Sequence, residues 1–308
     1  MNFLKMQHLG NDFILIDLRR YDTGATGGAK IIKNALSARS VIKMCDRHFG
    51  IGADGVVAVL NPGDKKCDLK MRIINSDGSE AQMCGNGLAC FALFSAESPK
   101  GINDAKRINS KSSPAQGGEL EKFELKIETN AGERGAKIVQ TRSGAYKIIL
   151  DMGAPSIEFV KKIRIDNYSF TLNAVSMGNP HCVIFLDEQL SPAEFERMGP
   201  IIERHKLFID KTNVEFVTVK NRSEIEIAVW ERGAGKTLAC GTGASAAAFT
   251  AYKNELCGAK IKIRLPGGKC AAEITPSGRV LLECFPVKVF DGAIDLFQSS
   301  KKNQFSDN

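Results

Sequence analysis

The sequence predicts a mixed α/β protein of two similar domains, each a curled sheet around a central helix, with the active site in the cleft between them. Three observations predict this. The chain has 308 residues, more than one hydrophobic core comfortably supports. A Cys-Gly-x-Gly sequence occurs twice, at Cys84 and Cys240, and the residues around the two copies align. Short strand-like runs are numerous, whereas each half holds one long run of small apolar residues at helical spacing.

The duplication is the strongest of the three. With Cys84 laid over Cys240, an offset of 156, NSDGSEAQMCGNGLACFA matches ERGAGKTLACGTGASAAA. Upstream, Gly10-Asn11 in HLGNDFILID matches Gly178-Asn179 in SMGNPHCVIFLD, and each pair precedes an apolar run that closes at Asp. Asn and Cys are 73 residues apart in the first half and 61 in the second, a difference of 12 that the Gly-rich stretch 22–30 fills as a loop. The expected boundary is near Asp151, giving domains of 1–151 and 152–283, with the C-terminal strand, 284–308, returning to complete the first.

Alternating or continuous apolar runs predict strands at 13–17, 56–60, 69–74, 123–128, 146–151, 183–186, 214–219, 224–230 and 260–265. Helices are expected at 37–47, 87–96, 192–205 and 243–256. Residues 99–119, rich in Ser, Lys, Gly and Asn, read as a surface insertion.

Composition narrows the function. The net charge of +7 is modest, the basic residues are dispersed, and four Tyr with one Trp make a poor stacking platform, so no nucleic-acid partner is expected. No run of eighteen apolar residues occurs, and no membrane partner is expected. Nine cysteines, odd in number and without a CxxC pair, argue against a disulfide framework or structural zinc. They suit free thiols in a reducing, cytoplasmic setting.

The Cys-Gly-x-Gly sites carry the chemistry. A cysteine at a helix start faces unpaired backbone N–H groups and the positive end of the dipole, which favour its thiolate. The same N–H groups make a cradle for a carboxylate, and the glycines allow close approach. Two such starts facing each other would hold one carboxylate and place a sulfur on each face of the adjacent α-carbon. That arrangement suits stereoinversion, in which one thiolate removes the α-proton and the opposite thiol returns one. No pyridoxal-binding lysine motif or metal-ligand cluster offers another electron sink, so neither cofactor nor metal is expected. A cysteine beside a small-residue helix is more often mere packing, and Cys90, Cys182, Cys257, Cys270 and Cys284 are read that way.

These residues resemble the diaminopimelate epimerase family from Phe3 to about Asp291, through KMQHLGNDF, DRHFGIGADG, NSDGSEAQMCGNG, SMGNPHCVIF, TNVEF and ERGAGKTLACGTGA in order. The resemblance implies two pseudo-symmetric α/β domains and cofactor-independent interconversion of L,L- and meso-diaminopimelate, in lysine and peptidoglycan precursor synthesis. It makes Cys84 and Cys240 the acid–base pair. Gly85, Asn86, Gly241 and Thr242 would bind the reacting carboxylate; Asn11, Asn75, Asn179, Asn213, Glu231 and Arg232 would hold the rest of the substrate. His181 and Glu231 would tune the thiols. Three positions depart from the family pattern: His8 stands where many members have Gly, Gly55 where some have Gln, and Phe290 where a Tyr accompanies dimerisation. A homodimer is thus an expectation that Phe290 weakens.

Two alternatives compete: a two-cysteine racemase or epimerase acting on another amino acid, such as proline, hydroxyproline or histidine, and a non-catalytic amino-acid-binding protein of the same fold. The Asn set and the Glu231-Arg232 pair favour a substrate with a second zwitterionic end, since Asn both donates and accepts and Arg offers a bidentate fork.

Overall fold

A computed structural model describes residues 1–24, 27–97, 119–141 and 144–295. The first half contributes strands β1 (Asn2–His8), β2 (Asn11–Asp17), β3 (Gly55–Leu60), β4 (Leu69–Asn75), β5 (Glu80–Ala81), β6 (Glu119–Thr129), β7 (Gly132–Thr141) and β8 (Tyr146–Asp151). The second contributes β9 (Ser156–Ile165), β10 (Tyr168–Ser176), β11 (Pro180–Leu186), β12 (Asn213–Asn221), β13 (Glu224–Glu231), β14 (Gly235–Thr237), β15 (Lys260–Leu265), β16 (Gly268–Ile274) and β17 (Val280–Cys284). Strand β18 (Val287–Ala293) follows. The helices are α1 (Gly28–Ala35), α2 (Ala38–Cys45), α3 (Gly85–Glu97), α4 (Pro192–Glu203) and α5 (Gly241–Lys253).

The pairing pattern occurs twice. β1–β2 is antiparallel, β2–β3 parallel, β3–β4 antiparallel, β4–β6 parallel, and β6–β7 and β7–β8 antiparallel. β10–β11 through β16–β17 repeat that sequence of directions pair by pair. β18 lies antiparallel on β1 as β9 lies on β10. An antiparallel β8–β17 pair, with Leu282 opposite Leu150, joins the two halves.

Each sheet curls around its own helix. α3 (GNGLACFALFSAE) is buried from Gly85 to Ala96 and touches β1, β2, β3, β4, β7 and β8. α5 (GTGASAAAFTAYK) is enclosed likewise by strands from β10 to β17. A helix apolar on every side finds no stable place on a surface, and small residues let the sheet close upon it. Hydroxyls beyond the first turn are satisfied within the helix, as Ser95 donates to the Phe91 carbonyl and Ser245 to that of Gly241. β3 (GVVAVL) is buried along its whole length, because α3 covers one face and the α1–α2 layer covers the other. α4 covers the equivalent outer face in the second half and starts with a Ser191–Glu194 capping box and Pro192.

The mixed α/β class and the sheets wrapped around central helices are as expected from the sequence. One local expectation fails: 22–30 is not loop throughout, because α1 begins at Gly28. Gly27, with φ of 94°, supplies the left-handed entry, and Ile32, Ala35 and Leu36 anchor the helix on the outer core. Most of the 99–119 insertion, and the chain beyond 295, lie outside the described residues.

Candidate active site

The starts of α3 and α5 meet across the junction of the halves. A Cβ placed on Gly85 would lie 3.7 Å from the Gly241 Cα, and one on Gly241 would lie 3.7 Å from the Gly85 Cα. Two positive helix ends thus converge, an arrangement that favours an anion between them. The duplicated Gly-Asn turns frame this point. Gly10 and Gly178 both adopt the left-handed conformation, with φ of 83° and 92°, and turn Asn11 and Asn179 toward the two cysteines.

Cys84 is half-buried, and its Sγ donates to Asn11 Oδ1 at 3.8 Å. The Asn11 amide in turn donates to Asp54 Oδ2 at 2.7 Å. Cys240 caps α5: its Sγ accepts from the Gly243 N–H at 3.4 Å and lies 3.3 Å from Thr242 Oγ1. Asn179 Nδ2 reaches that same threonine oxygen at 3.4 Å, and Asn179 Oδ1 lies 3.2 Å from His181 Nε2. His181 Nδ1 is 2.7 Å from Glu215 Oε1, both side chains being fully buried. The second thiol therefore stands at the end of a polar chain running inward to a carboxylate.

Burial pushes both thiols above the ordinary cysteine pKa. For Cys84 the Gly87 and Asn86 N–H groups pull the other way, and the Glu231 charge adds to the rise. For Cys240 burial is reinforced by Glu231 and Glu215 and opposed by Thr242 and Gly243. The sequence-based expectation that the helix start alone favours a thiolate is thus incomplete, because desolvation outweighs it. Glu231 is itself raised by burial, with Thr237 pulling it down.

A cleft of about 1000 Å³ opens at this junction. Asn11, Asn75, Cys84, Gly85, Asn86, Asn179, Glu231, Arg232, Cys240, Gly241 and Thr242 line it, all of them expected from the sequence. Two expected residues stand behind the wall. Asn213 donates to the Pro180 carbonyl and accepts from the Arg232 N–H, both at 2.9 Å, so it shapes the turn that presents Arg232. His181 reaches the cleft only through Asn179. Arg232 is exposed at the mouth, its guanidinium donating to the Asp210 carbonyl at 3.1 Å. Among the described residues, no group of three or more His, Cys, Asp or Glu is gathered as a metal site.

The sequence model of diaminopimelate epimerase matches residues 3–158 and 173–289. The chain belongs to the diaminopimelate epimerase family. It is 39% identical to the diaminopimelate epimerase of Desulfitobacterium hafniense, covering 96% of this chain and 98% of that one. The corresponding enzyme of Carboxydothermus hydrogenoformans is 40% identical, with 87% and 90% covered. Among solved structures, a hydroxyproline epimerase from Agrobacterium vitis superposes with a TM-score of 0.63 at 15% identity, over 96% of this chain and 92% of that one. A phenazine biosynthesis protein from Bacillus anthracis gives 0.64 at 14%, over 95% and 98%. These two likenesses are of fold.

Residues of this diaminopimelate epimerase family member that sequence reasoning missed fall into two groups. Arg47 and Asp54 line the cleft beside Asn11. Arg47 bridges Asp12 and Asp54 at 2.8 Å each, and Lys5 lies 2.8 Å from Asp12. Burial alone would raise Asp12, but Arg47 and Lys5 hold it well below the usual carboxylate range. Glu215 and Glu203 are the buried pair. Glu203 accepts from the Trp230 indole at 2.9 Å and from the Gly233 N–H at 3.1 Å, and so fixes the turn beyond Arg232. A lone Glu inside the apolar run NVEFVTV was the available signal for Glu215, since an ionisable side chain in a central strand demands a partner. Gly55, where some family members have Gln, opens β3 and does not line the cleft.

Proposed function

We propose that this protein is a diaminopimelate epimerase that inverts one α-centre with Cys84 and Cys240 and without a cofactor. The observation that carries the reading is the meeting of two cysteine-bearing helix starts at Gly85 and Gly241. The reacting carboxylate sits between the helix starts, held by backbone N–H groups of Gly85, Asn86, Gly241 and Thr242. One sulfur then faces each side of the α-carbon. A thiolate takes the α-proton, and the electron pair left on carbon delocalises into the carboxylate, where the N–H groups stabilise it. The opposite thiol gives its proton to the other face, and the two sulfurs have exchanged protonation states. The substrate's own α-ammonium, entering a buried site, offsets the desolvation that raises both thiols, so that one of them releases its proton to solvent and becomes the base.

The distal amino-acid end lies toward Arg232, Asn75, Asn179 and Glu231. Arg232 supplies a fork for its carboxylate and Glu231 an acceptor for its ammonium. Asn213 and His181 act from behind, through Arg232 and Asn179. Supporting this substrate over proline-type ones are the 39–40% identity to diaminopimelate epimerases and the charged Arg232–Glu231 end of the cleft. The duplicated pairing pattern supports two domains, 1–151 with the returning C-terminal strand and 152–283.

The test is direct. Purified protein with L,L-diaminopimelate in deuterated water, without added cofactor, is expected to produce the meso isomer and to place deuterium at the inverted centre. An α-proton that stays unexchanged in diaminopimelate, L-proline and hydroxyproline alike would leave the binding-protein reading standing. If L-proline or hydroxyproline exchanged and diaminopimelate did not, the related-racemase alternative would replace this one.

A homodimer is also proposed. β18 is an edge strand, and Phe285, Val287, Val289 and Phe290 are exposed on or beside it. Phe290 already packs edge-to-face on Phe3, 6.0 Å away, and needs no phenol hydroxyl to bury its outer face. Sedimentation equilibrium should give twice the chain mass, and Phe290→Asp should return it to one; a wild-type protein at single-chain mass refutes the dimer.

A further inference from the structure

His8 is 1% exposed, and no described residue partners its Nε2. Among the described residues the ring's only hydrogen bond joins Nδ1 to Asn86 Oδ1 at 2.9 Å. Burial pushes the imidazole below its ordinary pKa, which favours the neutral ring, and the Asn86 oxygen facing Nδ1 favours the tautomer with its proton there. A neutral ring kept in a closed site with one nitrogen unpartnered is a costly way to fill space.

What the bond accomplishes is visible in the amide it holds. With Asn86 Oδ1 committed to His8, Asn86 Nδ2 points the other way. It donates to Asn11 Oδ1 at 3.3 Å and to the Ala239 carbonyl at 3.4 Å. Asn11 Oδ1 is also the acceptor for the Cys84 thiol, and Ala239 immediately precedes Cys240. One oriented carboxamide therefore touches the partner of one cysteine and the backbone beside the other. The second half reaches its thiol by a similar route, from buried His181 through Asn179 to Thr242 and Cys240. The residue that corresponds to His181 in the first half is Phe13, so the first half takes its histidine from another strand position.

We propose that His8 is a positioning residue for the epimerisation, fixing the Asn86 carboxamide so that Asn11, Cys84 and the Ala239–Cys240 segment are held in register across the cleft. It acts through Asn86 and touches neither substrate nor sulfur. The inference rests on the epimerase reading and adds to it a residue that neither the Cys-Gly-x-Gly repeat nor the cleft lining contains. Its loss affects the chemical step more than binding, because the distal contacts of Arg232 and Glu231 are untouched.

The test compares two substitutions at one position. Leu matches the volume of His8 and removes the donor; Asn keeps a donor close to where Nδ1 stands. In His8→Leu, kcat for L,L-diaminopimelate is expected to fall about tenfold or more, with KM changed less than about threefold, since small misplacements of reacting groups are costly. In His8→Asn, kcat is expected within about threefold of wild type. Adding Asn86→Ala to His8→Leu should cost far less than Asn86→Ala costs alone, the mark of two residues acting as a unit. Wild-type kcat in His8→Leu overturns the proposal, as does an equal loss in both single variants, which would make the ring mere packing. If His8→Leu fails to fold, His8→Asn decides alone: retained kcat supports the proposal and a tenfold loss overturns it. A wild-type protein that leaves diaminopimelate unexchanged overturns the epimerase reading itself, and this inference with it.

Discussion

Cys84→Ala and Cys240→Ala are each expected to reduce epimerisation by at least about 10³-fold, because in the proposed mechanism each removes the proton carrier on one face of the α-carbon. The variants should fold. Cys84 is half-buried at the cleft wall and Cys240 sits at a helix cap, so neither truncation opens a large core cavity. Interconversion of L,L- and meso-diaminopimelate, followed by chiral separation of the product, reads the effect. Cys90→Ala and Cys257→Ala are the controls. Both thiols are buried at places that do not line the cleft, so these variants should lose some stability and keep their kcat. Full activity in Cys84→Ala would remove the two-base mechanism, whatever the cleft holds.

Selectivity provides the second large effect. Lysine keeps the α-centre and the distal amine of diaminopimelate but lacks the distal carboxylate. Arg232, tethered at the cleft mouth through the Asn213 amide and the Asp210 carbonyl, would face no counterpart. Arg232 is exposed and keeps its Asp210 bond, so the loss of a charge-assisted contact sets a penalty of about 10²-fold rather than the larger one of a buried, unpaired group. L-lysine is therefore expected to be turned over about 10²-fold less well, L-proline, which lacks the whole distal end, to be essentially inert, and D,D-diaminopimelate to be poor. Arg232→Met should depress kcat/KM for L,L-diaminopimelate severely while leaving Cys84 open to a thiol reagent, which separates a lost clamp from a lost fold. Comparable kcat/KM for lysine and diaminopimelate would mean that no distal clamp exists.

The cysteines, the Gly-Asn turns and the central helices were legible in the sequence because duplication prints each of them twice. The outer hairpin β9–β10 was not, because its two-residue Asp166-Asn167 turn, with Asp166 at φ of 51°, lacks the glycine that marks such turns. Its β9 strand, SIEFVKKIRI, is so exposed and charged that neither alternation nor apolar content marks it. β7 and β16 escaped for a related reason, their Gly, Lys and Ala weakening a pattern that pairing on both sides restores. At the site, the residues of the duplicated motifs were expected, whereas Arg47 and Asp54, which line the cleft, and Glu215 and His8, which act through strand register, were missed. Glu215 meets His181 only because the parallel β11–β12 register sets His181 opposite Asn213, two residues away on the same face. His8 meets Asn86 across 78 residues of chain. No local pattern encodes either encounter.

The β1–β18 pair has a consequence for how the protein is made. In the second half the outermost strand, β9, is followed directly by β10, so a nascent chain can close that edge as soon as both have left the ribosome. The first half has no such neighbour. Asn2 finds its partner in Ala293, and the Met1 amino group donates to the Ile294 carbonyl at 2.6 Å. At about 5–20 residues per second, roughly 15 to 60 s of translation separate those two residues. Throughout that interval β1 presents an open edge, the kind of surface that recruits a stray strand from another chain. The half that is synthesised first is thus the one finished last, and its exposure to chaperones and aggregation is set by translation speed rather than by its own folding rate.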